Sequence, residues 1–487
     1  MTRRLALLQK SDDGSEKGGL HELIFPFFAT LLPSLLLLAL CWPGYFQADH
    51  QATIASIALG APSEWHSLLW GYIAFPLFYY LPSYAMYGVV QVVLFAGVTS
   101  SCIVRLKSLG VVNRTRHLVI LYALAPTYLF YNLLYASDIV FAILLMPLTV
   151  CLIEIVLSRG KAFSRLGFVA VFFILLYLLF ELRKNAVVAV VVLVPVLFAL
   201  YPAYRKQLIG GVACLLCGIF ATSLLFSSVL HAEKSPSQEL LSVPAQQIAR
   251  TIAEGRELTD AETKYLESVR SIDDWRTSYL PGIADPEKDS LSLTPEFIGT
   301  WASIGLRNPG PYVRAYLDLM HPFWQMSADD SMLGFGVDFS AHHEFTLTFA
   351  SGLDDRYVEQ FSDSAHNNLV LDVYNRVMNL HVPIVSDAFN LLFFNRALPL
   401  WAVVIGAFFA ARARRFTAYL IVSLPVMSLL LGFLVFSPVA SFRYAVELYY
   451  CLPMLVVFTV FLCRHLRLEH SGDNIVHRKT KQIVEVG

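Results

Sequence analysis

Runs of about twenty apolar residues recur along this chain, and a helix of that length crosses the hydrocarbon core of a bilayer. Ten such runs lie at 22–42, 84–104, 117–135, 138–158, 166–183, 185–203, 207–230, 397–411, 416–436 and 444–463. Backbone groups inside a bilayer have no water to bond, so each run must satisfy its own N–H and C=O groups as a helix. The pattern predicts an all-α integral membrane protein with about ten transmembrane helices. The composition agrees: 56% of residues are hydrophobic and 15% are charged, against about 25% charged in soluble domains. A net charge of -1 offers no basic face for nucleic acid.

Residues 66–82 are apolar but short and contain Pro76 and Pro82. They read as an interfacial or re-entrant helix; if they span, the count becomes eleven. Basic residues collect on the cytoplasmic side of membrane proteins. Arg3 and Arg4, the loop with Arg105, Lys107, Arg114 and Arg116, and the clusters Arg159/Lys161/Arg165, Arg205/Lys206, Arg412/Arg414/Arg415 and Arg464/Arg467 are all expected there. Both termini are then cytoplasmic in a multi-pass membrane protein. Residues 1–21 form a cytoplasmic tail, and the run from Leu23 to Trp42 exceeds a signal-peptide core and reads as a retained anchor. An N-terminal transmembrane module fills 22–230, with a juxtamembrane loop at 44–65. Residues 231–390 form an extracytoplasmic, mostly helical domain, 391–464 carry the last transmembrane helices, and 465–487 form a second tail. Within the outer domain, Ser242–Arg250 begins helix-like, and Thr259 with Glu262 has the spacing of a capping box. The seven cysteines lie in or beside apolar runs, so no disulfide framework holds the outer domain. Cys214 and Cys217 form a C-x-x-C that reads as helix packing, since thiolates are unfavourable in apolar surroundings.

The polar residues that carry chemistry gather on the outer side. Asp49, in Trp42-Pro-Gly-Tyr-Phe-Gln-Ala-Asp-His50, lies just past the first apolar run, with Asp49, Thr53 and Ser56 on one face of an amphipathic segment. A carboxylate at that depth suits a general base acting on a lipid-linked substrate; a solvated loop aspartate or a helix cap is the plainer reading. His50 is beside it. Glu64, Trp65 and His66 stand where the chain re-enters the membrane. A histidine there suits a phosphate or a sugar, while an interfacial anchor accounts for Trp65 equally well. Asp138 opens a span, where the helix dipole alone favours an acid, or it faces the same cavity as Asp49 as a second catalytic acid. Arg183, Lys184 and Arg443 lie at the outer ends of spans, against the usual charge bias. Cations there stabilise charge developing on a phosphate leaving group or act as interfacial anchors. Asp285 and Lys288, in Asp285-Pro-Glu-Lys288, are candidate acceptor contacts or turn residues. His342-His343-Glu344 lacks the spacing of a zinc site. No metal ligand set and no cofactor is read from the sequence, and a divalent cation has no support. No P-loop, dinucleotide-binding glycine pattern or nucleophile elbow is present.

Several of these segments together resemble a bacterial family of polytopic membrane proteins of unassigned function related to the GT-C glycosyltransferases. They are Pro43-Gly-Tyr-Phe-x-x-Asp49, Trp65-His66, Ser137-Asp-Ile-Val-Phe141, Leu182-Arg-Lys-Asn185, Ser242-Val-Pro-Ala-Gln-Gln-Ile-Ala-Arg250, Asp285-Pro-x-Lys288 and Arg443-Tyr444. The resemblance implies a GT-C-like bundle, a catalytic acid in the first outer loop at the position of Asp49, and a polyprenyl-phosphate sugar donor. The chain departs from the wider class in having Ser137 where a lysine is common and His66-Ser67 where His-Pro is usual. It also lacks a second acid paired with Asp49.

The expected function is a membrane glycosyltransferase moving a sugar from a polyprenyl-phosphate donor to a glycan, lipid or cell-wall acceptor on the outer face. Its other partner is membrane lipid. A lipid-linked glycan transporter is the main rival, although transporters tend to show repeated halves and no repeat is seen. A non-catalytic membrane scaffold is the third reading.

Overall fold

The computed structural model describes residues 16–81, 83–235, 237–326, 339, 369–380 and 382–464. Helix α1 (Glu16–Leu40) leads to a two-residue strand β1 (Tyr45–Phe46), then to α2 (Ala48–Ala58), α3 (Leu68–Tyr79) and α4 (Ala85–Ser108). Helices α5 (Arg116–Leu124) and α6 (Pro126–Tyr131) precede strand β2 (Leu134–Tyr135) and α7 (Ser137–Leu157). Then come α8 (Leu166–Leu182), α9 (Ala186–Leu200) and α10 (Arg205–Leu224). The expected single span at 117–135 is therefore broken. Pro126 cannot extend α5, and the residues after α6 are drawn into a strand.

Five helical segments are long and apolar enough to cross a membrane: His21–Leu40, Ala85–Ser108, Ser137–Leu157, Pro202–Val229 and Phe416–Phe436. The number rises to seven if two bent pairs each count as one span. The pairs are Ile384–Phe393 with Leu398–Arg412, bent by 76°, and Phe442–Tyr449 with Leu452–Arg464, bent by 44°. The expected ten are not reached by this measure, because α8 and α9 have 17 and 15 residues. Helix α3 has 12 residues, roughly 18 Å of helix against a core of roughly 30 Å. The chain is thus an all-α protein apart from one strand pair among the described residues, with several helices able to span a membrane.

Helix α7 is the centre of the bundle. Of its apolar window 72% is buried, against 17% for Pro202–Val229, which faces outward. Helices α4 and α8 pack on α7, as do α20 (Phe416–Phe436) and α21 (Phe442–Tyr449) of the C-terminal part. Cys214 and Cys217 are free thiols exposed on the Pro202–Val229 segment.

The segment 241–312 has a hydrophobic core of its own. Helix α11 (Ser242–Ala253) buries Ala245, Ile248, Ala249 and Ile252, the i, i+3, i+4, i+7 stripe of an amphipathic helix. It packs under α13 (Ile272–Ser278), α15 (Pro295–Arg307) and α16 (Pro309–Met320), around Trp275, Phe297 and Ile304. Helix α12 (Asp260–Val269) starts with the expected capping box: Thr259 Oγ1 accepts from Glu262 N, and Glu262 accepts from Thr259 N. The short α14 is Asp285–Lys288, and α17 (Leu369–Met378), α18 (Pro383–Phe393) and α19 (Leu398–Arg412) return the chain to the bundle. Helix α18 runs across the expected boundary at 390. Ala284 N donates to Pro438 O at 2.8 Å, which ties this segment to the loop just before α21.

Candidate functional site

Strands β1 and β2 run parallel, with Tyr45 opposite Leu134 and Phe46 opposite Tyr135. Each strand feeds a helix, so the N-termini of α2 and α7 emerge side by side. Gln47 caps α2, and Asp49 lies in its first turn; Asp138 lies in the first turn of α7. Two helix N-termini with orphan N–H groups favour negative charge at this point. The approach to β1 depends on Gly44, whose φ of +95° suits glycine. A Cβ there would collide with the Tyr135 hydroxyl, which itself donates to Pro43 O at 2.7 Å.

Four charged residues picked from the sequence meet here in one chain. Arg443, in the first turn of α21, places one terminal nitrogen 2.9 Å from Asp49 Oδ2 and its Nε 3.3 Å from Asp138 Oδ2. Arg183, at the C-terminal end of α8, lies 3.0 Å from Asp138 Oδ1 and also pairs with Glu447. Tyr444 packs against both guanidiniums, with its ring centre 5.1 Å from that of Arg183 and 5.6 Å from that of Arg443. The chain is open at one end: the Asp49 side chain is 26% exposed, whereas Glu447 is wholly buried. Three carboxylates face two guanidiniums.

A neutral relay runs alongside. Gln47 Nε2 donates to Asp49 Oδ2 at 3.0 Å, which turns its Oε1 toward His50 Nδ1 at 2.8 Å. An amide oxygen only accepts, so Nδ1 carries the proton and Nε2 accepts from the Ser137 hydroxyl at 2.8 Å. Burial, reinforced by His66 and Arg443, pulls His50 down to about 3 despite the nearby Asp138 and Asp49. Burial likewise lowers His66, with Arg443 and Arg183 adding to it. For Asp49 burial acts upward, but Arg443, His66 and His50 together hold it well below the ordinary carboxylate range. The His66 ring stacks on His50 with centroids 5.4 Å apart. Its buried Nε2 has no hydrogen-bond partner among the described residues.

The remaining candidates form a second tier. Lys184 reaches Glu64 at 2.9 Å beside the main cluster. Trp65, its ring tilted against His66 with centroids 4.6 Å apart, donates from Nε1 to Glu239 at 3.2 Å. Glu239 in turn accepts from Lys288 at 3.0 Å, and Lys288 also meets Asp285 and Asp289 at 3.2 and 2.9 Å. Lys288 is 3% exposed and surrounded by carboxylates, while Asp285 is half exposed. His342, His343 and Glu344 lie outside the described residues. Among the described residues no group of three or more His, Cys, Asp or Glu is placed to hold a metal ion.

Sequence reasoning missed Glu447 and Gln47. Glu447 follows Arg443 by four residues, a helical neighbour spacing, and that was the available signal. Gln47 had none, since its role comes from the turn that points it at both Asp49 and His50.

No curated protein and no solved structure matches the chain. Residues 82–479, which include Asp138, Arg183, Arg443 and Glu447 but begin after Asp49 and His66, match a family of unknown function, DUF6020. The chain belongs to that family.

Proposed function

We propose that the protein is an integral membrane glycosyltransferase of the bacterial plasma membrane, with a GT-C-like bundle. It transfers a sugar from a polyprenyl-phosphate donor to a glycan, lipid or cell-wall acceptor on the outer face. The observation that carries this reading is the Asp49–Arg443–Asp138–Arg183 chain, set at two helix N-termini and opening at Asp49. Helices α8 and α9, with 17 and 15 residues, cross where the bilayer is thinned, which takes the span count above the seven that length and composition give.

The orientation follows from charge. Arg105, Lys107 and Arg165 lie at the other end of the bundle, where Arg105 and Arg165 pair with Glu154. Asp138 and Glu154 are separated by sixteen residues of α7, roughly 24 Å. Basic residues mark the cytoplasmic side, so the Asp49 end is outside and both termini are inside.

In the resting site Asp49 is a weak base, because Arg443 stabilises its carboxylate. A donor phosphate competes for Arg443, because it offers the guanidinium fork the same bidentate pairing that a carboxylate does. Drawing Arg443 away restores the basicity of Asp49. The acceptor hydroxyl then gives its proton to Asp49 as its oxygen bonds to the sugar C1. The bond from C1 to the phosphate oxygen breaks, and its electron pair leaves with polyprenyl phosphate, stabilised by Arg443 and Lys184. Asp138 holds both arginines in place as the second cavity acid. His66 and Glu64 line the sugar side with His50 buried behind them, and Asp285 faces the acceptor with Lys288 buried behind it as its counter-ion. No cofactor is needed for these steps.

The test is to incubate the purified protein with a panel of polyprenyl-phosphate sugars and an envelope-glycan acceptor mixture, and to measure released polyprenyl phosphate. Release with any one donor supports the reading. Donor binding without release, with movement of the lipid across a vesicle bilayer, would replace transfer by transport.

A further inference from the structure

At the end of α7 away from Asp49, a groove of about 540 Å³ lies between α4, α7 and α8. Its walls are carbon: Cys102, Pro147, Val150, Phe168 and Val171 face it, and the Ser101 hydroxyl is turned back onto the Gly97 carbonyl at 2.7 Å. Gly167 also lines it, and a Cβ there would meet nothing within 4 Å. At the rim stands a triad. Glu154, 8% exposed, accepts from Arg105 Nε at 2.9 Å and from a terminal nitrogen of Arg105 at 2.5 Å. The same carboxylate oxygen pairs with Arg165. The two guanidinium side chains are 42% and 53% exposed. One carboxylate thus aims two cations at a single point, and one positive charge remains uncompensated above an apolar slot.

We propose that this groove binds an anionic glycerophospholipid, one acyl chain in the slot and the phosphate against Arg105 and Arg165. An apolar channel alone suits any acyl chain. The paired arginines at its mouth select a headgroup with net negative charge, since basic pockets between transmembrane helices hold acidic lipids. The groove is roughly 24 Å along α7 from the Asp138 end. A lipid seated there is therefore not the donor, and the inference stands apart from the transferase reading.

The test uses the full-length protein in detergent. Native mass spectrometry counts bound lipid after addition of phosphatidylglycerol or phosphatidylcholine with matched chains. Arg165→Gln leaves Glu154 paired with Arg105, and Gly167→Leu adds a branched side chain to the groove lining from a Cβ position with nothing within 4 Å. The wild type is expected to retain phosphatidylglycerol over phosphatidylcholine. Arg165→Gln should lower phosphatidylglycerol retention by roughly fivefold, the worth of one basic residue at a membrane surface, and Gly167→Leu should abolish it. Equal retention of the two lipids by the wild type, or unchanged phosphatidylglycerol retention in either folded variant, overturns the site.

Discussion

Removing Arg183 should damage the protein far more than removing Arg443, and the reason is where each leaves a charge. Arg183 is the guanidinium that pairs with Glu447, whose side chain is wholly buried. Arg183→Gln strands that carboxylate, and an unpaired buried charge costs about 3–5 kcal/mol. Asp138 is spared, because the Arg443 Nε remains 3.3 Å away. Arg443→Gln instead strands Asp49, which is 26% exposed and can turn to water. Its loss resembles that of a surface pair, about 1 kcal/mol or less, with Asp138 still held by Arg183 at 3.0 Å. The cycle closes with Glu447→Gln. In the double variant Arg183→Gln/Glu447→Gln the buried charge is gone, so most of the loss should return, giving a coupling of about 2–3 kcal/mol. The assay is the thermal midpoint of the four proteins in one detergent at neutral pH, with Arg443→Gln as reference. If Arg183→Gln melts no lower than Arg443→Gln, or if the second substitution restores nothing, the buried ion pair does not hold the site together.

Two further outcomes follow from the geometry around β1. His50 is pulled down to about 3 in the folded protein from an ordinary value near 6.5. The unfolded chain alone takes up the proton between these values, so this contribution to stability is full above pH 6.5 and is lost as pH falls toward 3. The slope is up to about 1.4 kcal/mol per pH unit. Asp49 has the opposite origin, a lowered acid, and its contribution is lost only below the ordinary carboxylate value; Glu287, raised to about 7 by burial, acts against the histidines from pH 7 to 4.5, so the share of His50 is the difference between wild type and His50→Gln. A melting series over that range should fall more steeply for the wild type than for His50→Gln; parallel curves would refute it. Gly44→Ala forces both a left-handed φ and a collision with Tyr135, and should cost about 2 kcal/mol or more. Gly60→Ala, with positive φ but open space, should cost about 1 kcal/mol; equal midpoints for the two would remove Tyr135 as the constraint.

The parts of this molecule that were legible in its sequence are those written along one dimension. A long apolar run or an acid at the edge of one is local, so α1, α4, α7 and α20 and the residues Asp49, Asp138, Arg183 and Arg443 could be picked out. The capping box at Thr259 was legible for the same reason. What could not be read depends on pairing across distance. Strand β2 is two residues long and forms only because β1, some ninety positions earlier, lies beside it. The run at 117–135 therefore looked like one span, although Pro126 marked the break. Glu447 sat inside an apolar run, and only the placement of Arg183 from another helix explains a buried acid there. Length and composition give five to seven spans rather than ten, because α8 and α9 are apolar enough but short, and the last helix is bent between Tyr449 and Leu452.

The central claim is that Asp49 takes the acceptor proton once a donor phosphate has drawn Arg443 away. The most direct measurement compares wild type with Asp49→Asn for binding and for turnover of a polyprenyl-phosphate sugar that the wild type uses. Asparagine keeps the shape and removes the base, so donor binding should be retained while kcat falls by about 10²–10⁴. Equal turnover in the two proteins would show that the proton goes elsewhere.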